Sequence, residues 1–267
     1  MDTREKTNRT RQENKTRTII LKHFPHTIDR LQEAHWFLHQ IVMWYHKADP
    51  FRYSLNSFIR SLREVDHMLR AELKPFSEHA LWYKKRIKEL VNEEPLIEKL
   101  VRTRDLIVHQ HMLAPSSKAT VGVCDLRGIR SGFLFDVSPF MDSNRIASNA
   151  RKAGRGSGLF LPDEDQAFGI ERRWGIKEWD DEEIVVVCAK IWLKVATLFD
   201  EILGRFGGKP VRVGLDCLHG HGSYRLEIIE FGDDPKVRRR KQRYLKGKMD
   251  EMAKAKQESV GNTERSK

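Results

Sequence analysis

Three neighbouring residues have the types and spacing for phosphoryl chemistry: Arg104, Asp105 and His109. Ile97, Leu100, Val101, Ile107 and Val108 form one apolar stripe at helical spacing, and Arg104 falls within it. A guanidinium on a packing face is costly unless its donors are satisfied. An acid on a neighbouring helix, Glu64 or Asp66, would satisfy them structurally; a bound phosphate would do so functionally. Asp105 and His109 lie four apart, so the carboxylate can orient the imidazole and hold its pKa near neutrality. On an ideal helix Arg104 and His109 diverge by about 140°, which favours a site completed by a second subunit.

Other constellations are weaker. His35 and His39 have zinc-ligand spacing, but the segment lacks the glutamate of an HExxH pattern and reads as structural or surface histidines. Cys217, His219 and His221 sit in a Gly-rich run without a second ligand cluster and read as a hairpin turn. No GxxxxGK[ST] or GxSxG motif is present, which argues against a nucleotide triphosphatase and an α/β-hydrolase. Trp36, Trp44, Tyr45 and Trp82 fall in helical patterns and read as core or dimer interface. Trp174 and Trp179, beside Arg172 and Arg173, are candidates for stacking on single-stranded RNA.

The elements that position these residues are mostly helical. Ile28, Leu31, Ala34, Leu38, Ile41, Val42 and Tyr45 predict a helix from Thr27, with Thr27 as N-cap, to His46. A second runs from Asp49-Pro50 to Lys74-Pro75, a third starts at Ser77, and a fourth runs from Pro95 to about Met112. Residues 119–126 and 132–138 then predict a β-hairpin around Arg127–Arg130. Residues 139–180 show no period and read as a long basic loop. A strong helix follows from Asp180 to Leu203, closed by Gly207-Gly208, and the strand-like runs 211–217 and 224–231 read as a second hairpin.

The chain of 267 residues carries a net charge of +11, concentrated at its ends. Residues 1–20 hold six Lys/Arg against three Asp/Glu, and residues 232–267 hold twelve against six. Arg151, Lys152 and Arg155 in the loop, and Arg238, Arg239 and Arg240 in the tail, are the candidate RNA contacts, gripping phosphates by counterion release. No apolar run approaches the length of a membrane span, and the polar first twenty residues lack a secretory core. Three distant cysteines make no disulfide framework, so a reducing, cytoplasmic setting is expected.

The segment Arg104-Asp105-Leu106-Ile107-Val108-His109, on a late helix of such a bundle, resembles the Arg-x4–6-His signature of the HEPN superfamily, polar second residue included. The resemblance implies a mainly α fold: a HEPN-like antiparallel helical bundle with small β-hairpins inserted before and after the last major helix. The expected organisation is a basic N-terminal arm (1–26), the bundle (27–113), a β-hairpin and basic loop (114–180), a closing helix with hairpin (181–231) and a basic tail (232–267). It also implies metal-independent endoribonuclease activity, without cofactor, in a homodimer acting as a toxin or phage-defence effector, with an antitoxin as a possible partner. Arg104 would clamp phosphate, His109 would exchange protons and Asp105 would orient it. One departure is His111, where toxins paired with a nucleotidyltransferase antitoxin usually carry tyrosine. A non-catalytic nucleic-acid- or protein-binding module on the same bundle is the alternative.

Overall fold

The computed structural model describes residues 3–99, 115–125, 128–153, 166–176, 179, 182–211, 223–229, 246 and 250, with side chains from Arg11 onward. It is mainly helical with a small antiparallel sheet. The chain divides into two compact units.

The first unit holds the long helices α1 (Thr3–His23), α2 (Pro25–Met43), α3 (Ala48–Leu73, from Asp49 onward), α4 (Ser77–Glu93) and α6 (Ile184–Arg205). Residues 95–99 are also helical. Helices α2, α3 and α6 pack through the stripes their sequences carry. Leu31, Ala34, Leu38 and Ile41 of α2 are buried, as are Leu55, Phe58, Ile59, Leu62 and Val65 of α3 and Val187, Cys188, Ile191 and Leu198 of α6. α6 packs against α1, α2 and α4. The Trp192 indole donates to the Leu31 carbonyl at 3.3 Å, so its one polar atom is satisfied inside the core.

Proline sets two boundaries. Pro25 opens α2 directly after Phe24, and α3 ends at Leu73 before Pro75. Phe24 is fully buried, edge-on to Phe199 and Phe206. Thr27 is not the cap of α2, because Pro25 already lies within the helix. The Glu72 carboxylate of α3 takes that role, accepting from the backbone N–H of His26 at 2.8 Å and of Thr27 at 3.2 Å, and from the Thr27 hydroxyl. Residues 3–23, expected as an arm, form helix α1, with Thr16 and Ile20 buried. α6 closes as its Gly-Gly signal predicts: Gly207 has φ +75° and the Gly208 N–H donates to the Leu203 carbonyl at 2.8 Å.

The second unit holds residues 45–48, strands β1 (Ser116–Asp125), β2 (Gly128–Asp136), β3 (Ala167–Gly175, to Trp174) and β4 (Leu226–Ile229), and helix α5 (Ser143–Ala153). The strand order is β2-β1-β3-β4, with β1–β2 and β3–β4 antiparallel. Ala119, Val121, Phe168 and Ile170 of the sheet pack against Ile146 and Ala147 of α5 to make a small apolar core.

Two expectations need correcting here. The first hairpin is tighter than predicted: Asp125 faces Gly128, and Gly128–Arg130 belong to β2. The stretch 139–180 is not one long loop, since it contains α5 and β3. β4 pairs with β3, a pairing distant in sequence, while the hairpin expected between 211–217 and 224–231 falls on residues 212–222 and 230–231, which lie outside the described residues. In the β1–β2 hairpin, Gly122 faces Gly132. A Cβ on Gly122 would lie 2.0 Å from the Ser131 carbonyl oxygen, so the strands approach this closely only because no side chain intervenes.

Candidate nucleic-acid interface

Helix α5 has the sequence SNRIASNARKA. Ser143, Ile146 and Ala147 are buried against the sheet, with Ala150 partly buried beside them. This is the i, i+3, i+4, i+7 spacing of one helix face. The same periodicity turns Arg145, Ser148, Asn149 and Lys152 to the outer face, flanked by Asn144 and Arg151, and all six are exposed. The helix contains no Asp or Glu. Arg151 and Lys152 fall in its last turn, where the helix dipole favours cations. Among the described residues Arg145 and Lys152 form no ion pair. Asn149 Nδ2 lies 3.8 Å from the Met141 sulfur.

A buried polar network fixes the start of this helix. Arg172 on β3 is fully buried and donates from Nε to the Ser117 hydroxyl at 2.8 Å, from Nη1 to the Met141 carbonyl at 2.7 Å and from Nη2 to the Ser138 carbonyl at 3.3 Å. Its guanidinium stacks 3.6 Å from the centre of the Trp174 ring. Burial pushes its pKa down to about 10, against the pull of Tyr45, Asp142 and Glu227, so it stays charged at neutral pH. One side chain thereby ties β1 and β3 to the turn entering α5.

His46 secures the first residue of the helix. Its Nε2 lies 2.9 Å from the Tyr224 carbonyl, which only accepts, so Nε2 carries the hydrogen. Nδ1 lies 2.9 Å from the Ser143 hydroxyl oxygen, with Glu227 Oε2 at 3.6 Å. The Ser143 N–H donates to the His46 carbonyl at 3.0 Å, and Asp142 accepts from the Ala48 N–H at 2.8 Å. Ser143 is completely buried, so this serine–histidine–glutamate contact positions α5 and offers no nucleophile to a substrate.

The residues singled out from sequence fare differently. Arg151 and Lys152 are exposed as expected, but on a helix rather than a loop. Arg155, Arg238, Arg239 and Arg240 lie outside the described residues, as do Arg104, Asp105 and His109. Asp66, offered as a partner for Arg104, is engaged by Arg63 at 2.7 Å, Arg70 at 2.9 Å and the Tyr83 hydroxyl at 2.7 Å. Trp174 and Trp179 are fully buried and cannot stack on RNA; the Trp174 indole donates to the Tyr45 carbonyl at 2.9 Å. Of the aromatics expected in packing positions, Tyr45 is buried whereas Trp36 is 55% exposed.

His35 packs on Trp192 at 4.6 Å and on His39 at 4.6 Å. Burial lowers both histidine pKa values, and the neighbouring His39 adds to the effect at His35. Among the described residues no cluster of three metal-ligating side chains forms. Cys217, His219 and His221 lie outside them. Cys124 and Cys188 are buried core thiols; burial raises Cys124 to about 11 and Cys188 well above the ordinary value, so neither is a nucleophile. No helix among the described residues is long and apolar enough to cross a membrane.

Sequence reading missed Arg172, His46 and Ser143. The available signal was the stripe Ser143, Ile146, Ala147, Ala150 beginning just after Asp142.

These features define a mainly helical protein with a small antiparallel sheet and a basic surface helix. Residues 24–223 match the family model described as bacteriophage lambda protein ea47, and the chain belongs to that family. This overturns the resemblance to the HEPN superfamily, for which no family match is found. Arg-x4-His is a short string that recurs by chance on amphipathic helices, whereas the family match spans both units. No curated protein and no solved structure matches the chain.

Proposed function

We propose that this phage-family protein binds nucleic acid through the outer face of α5. The observation that carries the reading is the composition of that face. Arg145, Arg151 and Lys152 are interleaved with Asn144, Ser148 and Asn149, all exposed, on a helix that contains no Asp or Glu and is anchored from beneath. Arg and Lys neutralise phosphates and release counterions. Asn and Ser donate to phosphate or to base edges. A rigid helix holds these groups in register, so little ordering cost remains at the moment of binding.

The binding reading takes precedence over RNA cleavage because the chemistry expected of Arg104, Asp105 and His109 loses the family resemblance that supported it. Both are tested in one assay. Labelled duplex DNA and labelled single-stranded RNA are titrated with the full chain in EDTA, following anisotropy and product length together. Binding should be saturable and weaken at least tenfold in the Arg145→Gln/Arg151→Gln/Lys152→Gln variant, with no cleavage. Unchanged affinity in that folded variant would remove α5 from the interface. Strand scission abolished by His109→Ala would instead restore the nuclease reading.

A further inference from the structure

Among the described residues strand β2 is an edge of the sheet, and its middle is exposed on both faces. Phe133 is 52% and Leu134 67% exposed. Natural edges are usually blunted by charge, proline or brevity. β2 has nine residues, no proline, and only two charged residues, Arg130 near one end and Asp136 at the other. By contrast β4, at the opposite edge, has only four residues. We propose that β2 pairs with β2 of a second copy of this chain, antiparallel about a two-fold axis through Phe133.

The backbone sets which groups are available. The Val137 N–H donates to the Ser117 carbonyl at 2.9 Å, and the register continues Lys118 to Asp136, Ala119 to Phe135, Thr120 to Leu134, Val121 to Phe133. Hydrogen-bonded and non-bonded pairs alternate along an antiparallel ladder. Phe133 and Phe135 therefore spend their backbone groups on β1. Gly132, Leu134 and Asp136 turn theirs outward, to the open edge.

Side chains then select the register. With the two-fold at Phe133, Leu134 lies opposite Gly132 of the partner subunit, a large side chain over an empty position. Phe133 meets the partner's Phe133, and Phe135 faces Ser131 of the partner subunit. Asp136 comes opposite the partner's Arg130, so the strand's only two charges are matched twice by symmetry. Shifting the axis to Leu134 keeps the hydrogen bonds but sets Asp136 against the partner's Gly132 and loses the charge match. Arg130 is the extra residue of a bulge, since the register passes from Ser131 to Ile129 against Val123 and Cys124, and it pairs with Asp125. It would thus sit between Asp125 and Asp136 of the partner subunit, and the bulge ends the shared ladder there.

Light scattering on the eluted full chain tests the pairing. Wild type should elute at twice the chain mass, and Leu134→Pro at the chain mass with an unchanged circular-dichroism spectrum. Proline removes only an N–H that points away from β1, so the hairpin keeps its own bonds. Cysteine substitution reads the register independently of that variant. At the axis the two Cα atoms of residue 133 lie about 4.5 Å apart, within the roughly 4.4–6.8 Å a disulfide spans. Phe133→Cys should cross-link on mild oxidation and Leu134→Cys should not. A wild-type monomer, a dimer that survives Leu134→Pro, or cross-linking through Leu134→Cys instead would overturn the proposal.

Discussion

The helical unit and the sheet unit solve the same problem with different means. In the helical unit, long stripes of Leu, Ile, Phe and Val are buried along α2, α3 and α6, and polar contacts such as the Glu72 cap of α2 supplement them. In the sheet unit the apolar cluster among the described residues is small, six buried residues of which two are alanine. There a fully buried guanidinium with three hydrogen-bonding partners takes over part of the work of fixing β1, β3 and the turn into α5. Apolar packing is strong but tolerant of neighbouring arrangements. A buried charge costs desolvation and is satisfied in only one geometry, so it contributes specificity more than stability. The difference teaches that the part of this protein that must hold a surface helix in one place is the part built on polar contacts.

The largest effect should come from breaking the apolar side. Phe199→Ala, which removes a fully buried ring edge-on to Phe24, should cost about 3–5 kcal/mol in chemical denaturation. A cost below about 1 kcal/mol would show that α6 does not organise the helical unit.

Next comes Arg172→Met. It leaves the Ser117 hydroxyl and two backbone carbonyls without their donor and should cost about 3 kcal/mol. Arg172→Lys should fare little better, because one ammonium cannot reach three separated acceptors. Amide exchange should quicken across β3 and α5 while α2 and α6 keep their protection. A neutral Arg172→Met would erase the contrast between the two units.

The smallest effect concerns pH. Burial pushes the Asp66 carboxyl up, but hydrogen bonds from Arg70 and Tyr83, with the charges of Arg70 and Arg63, outweigh it and hold the group below the ordinary carboxylate range. A depressed folded pKa stabilises the native state above the unfolded value and is lost as pH falls through the folded one. Acid titration of stability should therefore show a loss of about 1 kcal/mol below the ordinary carboxylate range. Asp66→Asn should flatten that limb; an unchanged limb would place the acid sensitivity elsewhere.

The same contrast explains what could be read from sequence. Helices α2, α3, α4 and α6 carry long stripes of large side chains bounded by proline or glycine, and those signals survive without tertiary context. Even there burial does not follow apolarity alone: Leu81 of α4 is 70% exposed, while Tyr83 is buried, its hydroxyl satisfied by Asp66. α5 escaped notice because its stripe is made of Ser143, Ile146, Ala147 and Ala150, small residues that bury little area one by one. β3 was hidden by Glu171-Arg172-Arg173, which reads as surface until Ser117, Met141 and Ser138 come within reach of the middle arginine. Two basic residues of the proposed interface, Arg151 and Lys152, were visible as charge, but the helix that carries them was not. The Arg104–His109 segment illustrates the opposite error, a chemically coherent spacing whose family attribution the longer match to the Ea47 family removed.

The most direct test of the central claim is the salt dependence of nucleic-acid binding, measured by anisotropy for wild type and the Arg145→Gln/Arg151→Gln/Lys152→Gln variant. If α5 contacts phosphates, the slope of log affinity against log salt should fall by about two to three on losing three cations. Equal slopes in the two folded proteins would contradict a nucleic-acid interface on α5.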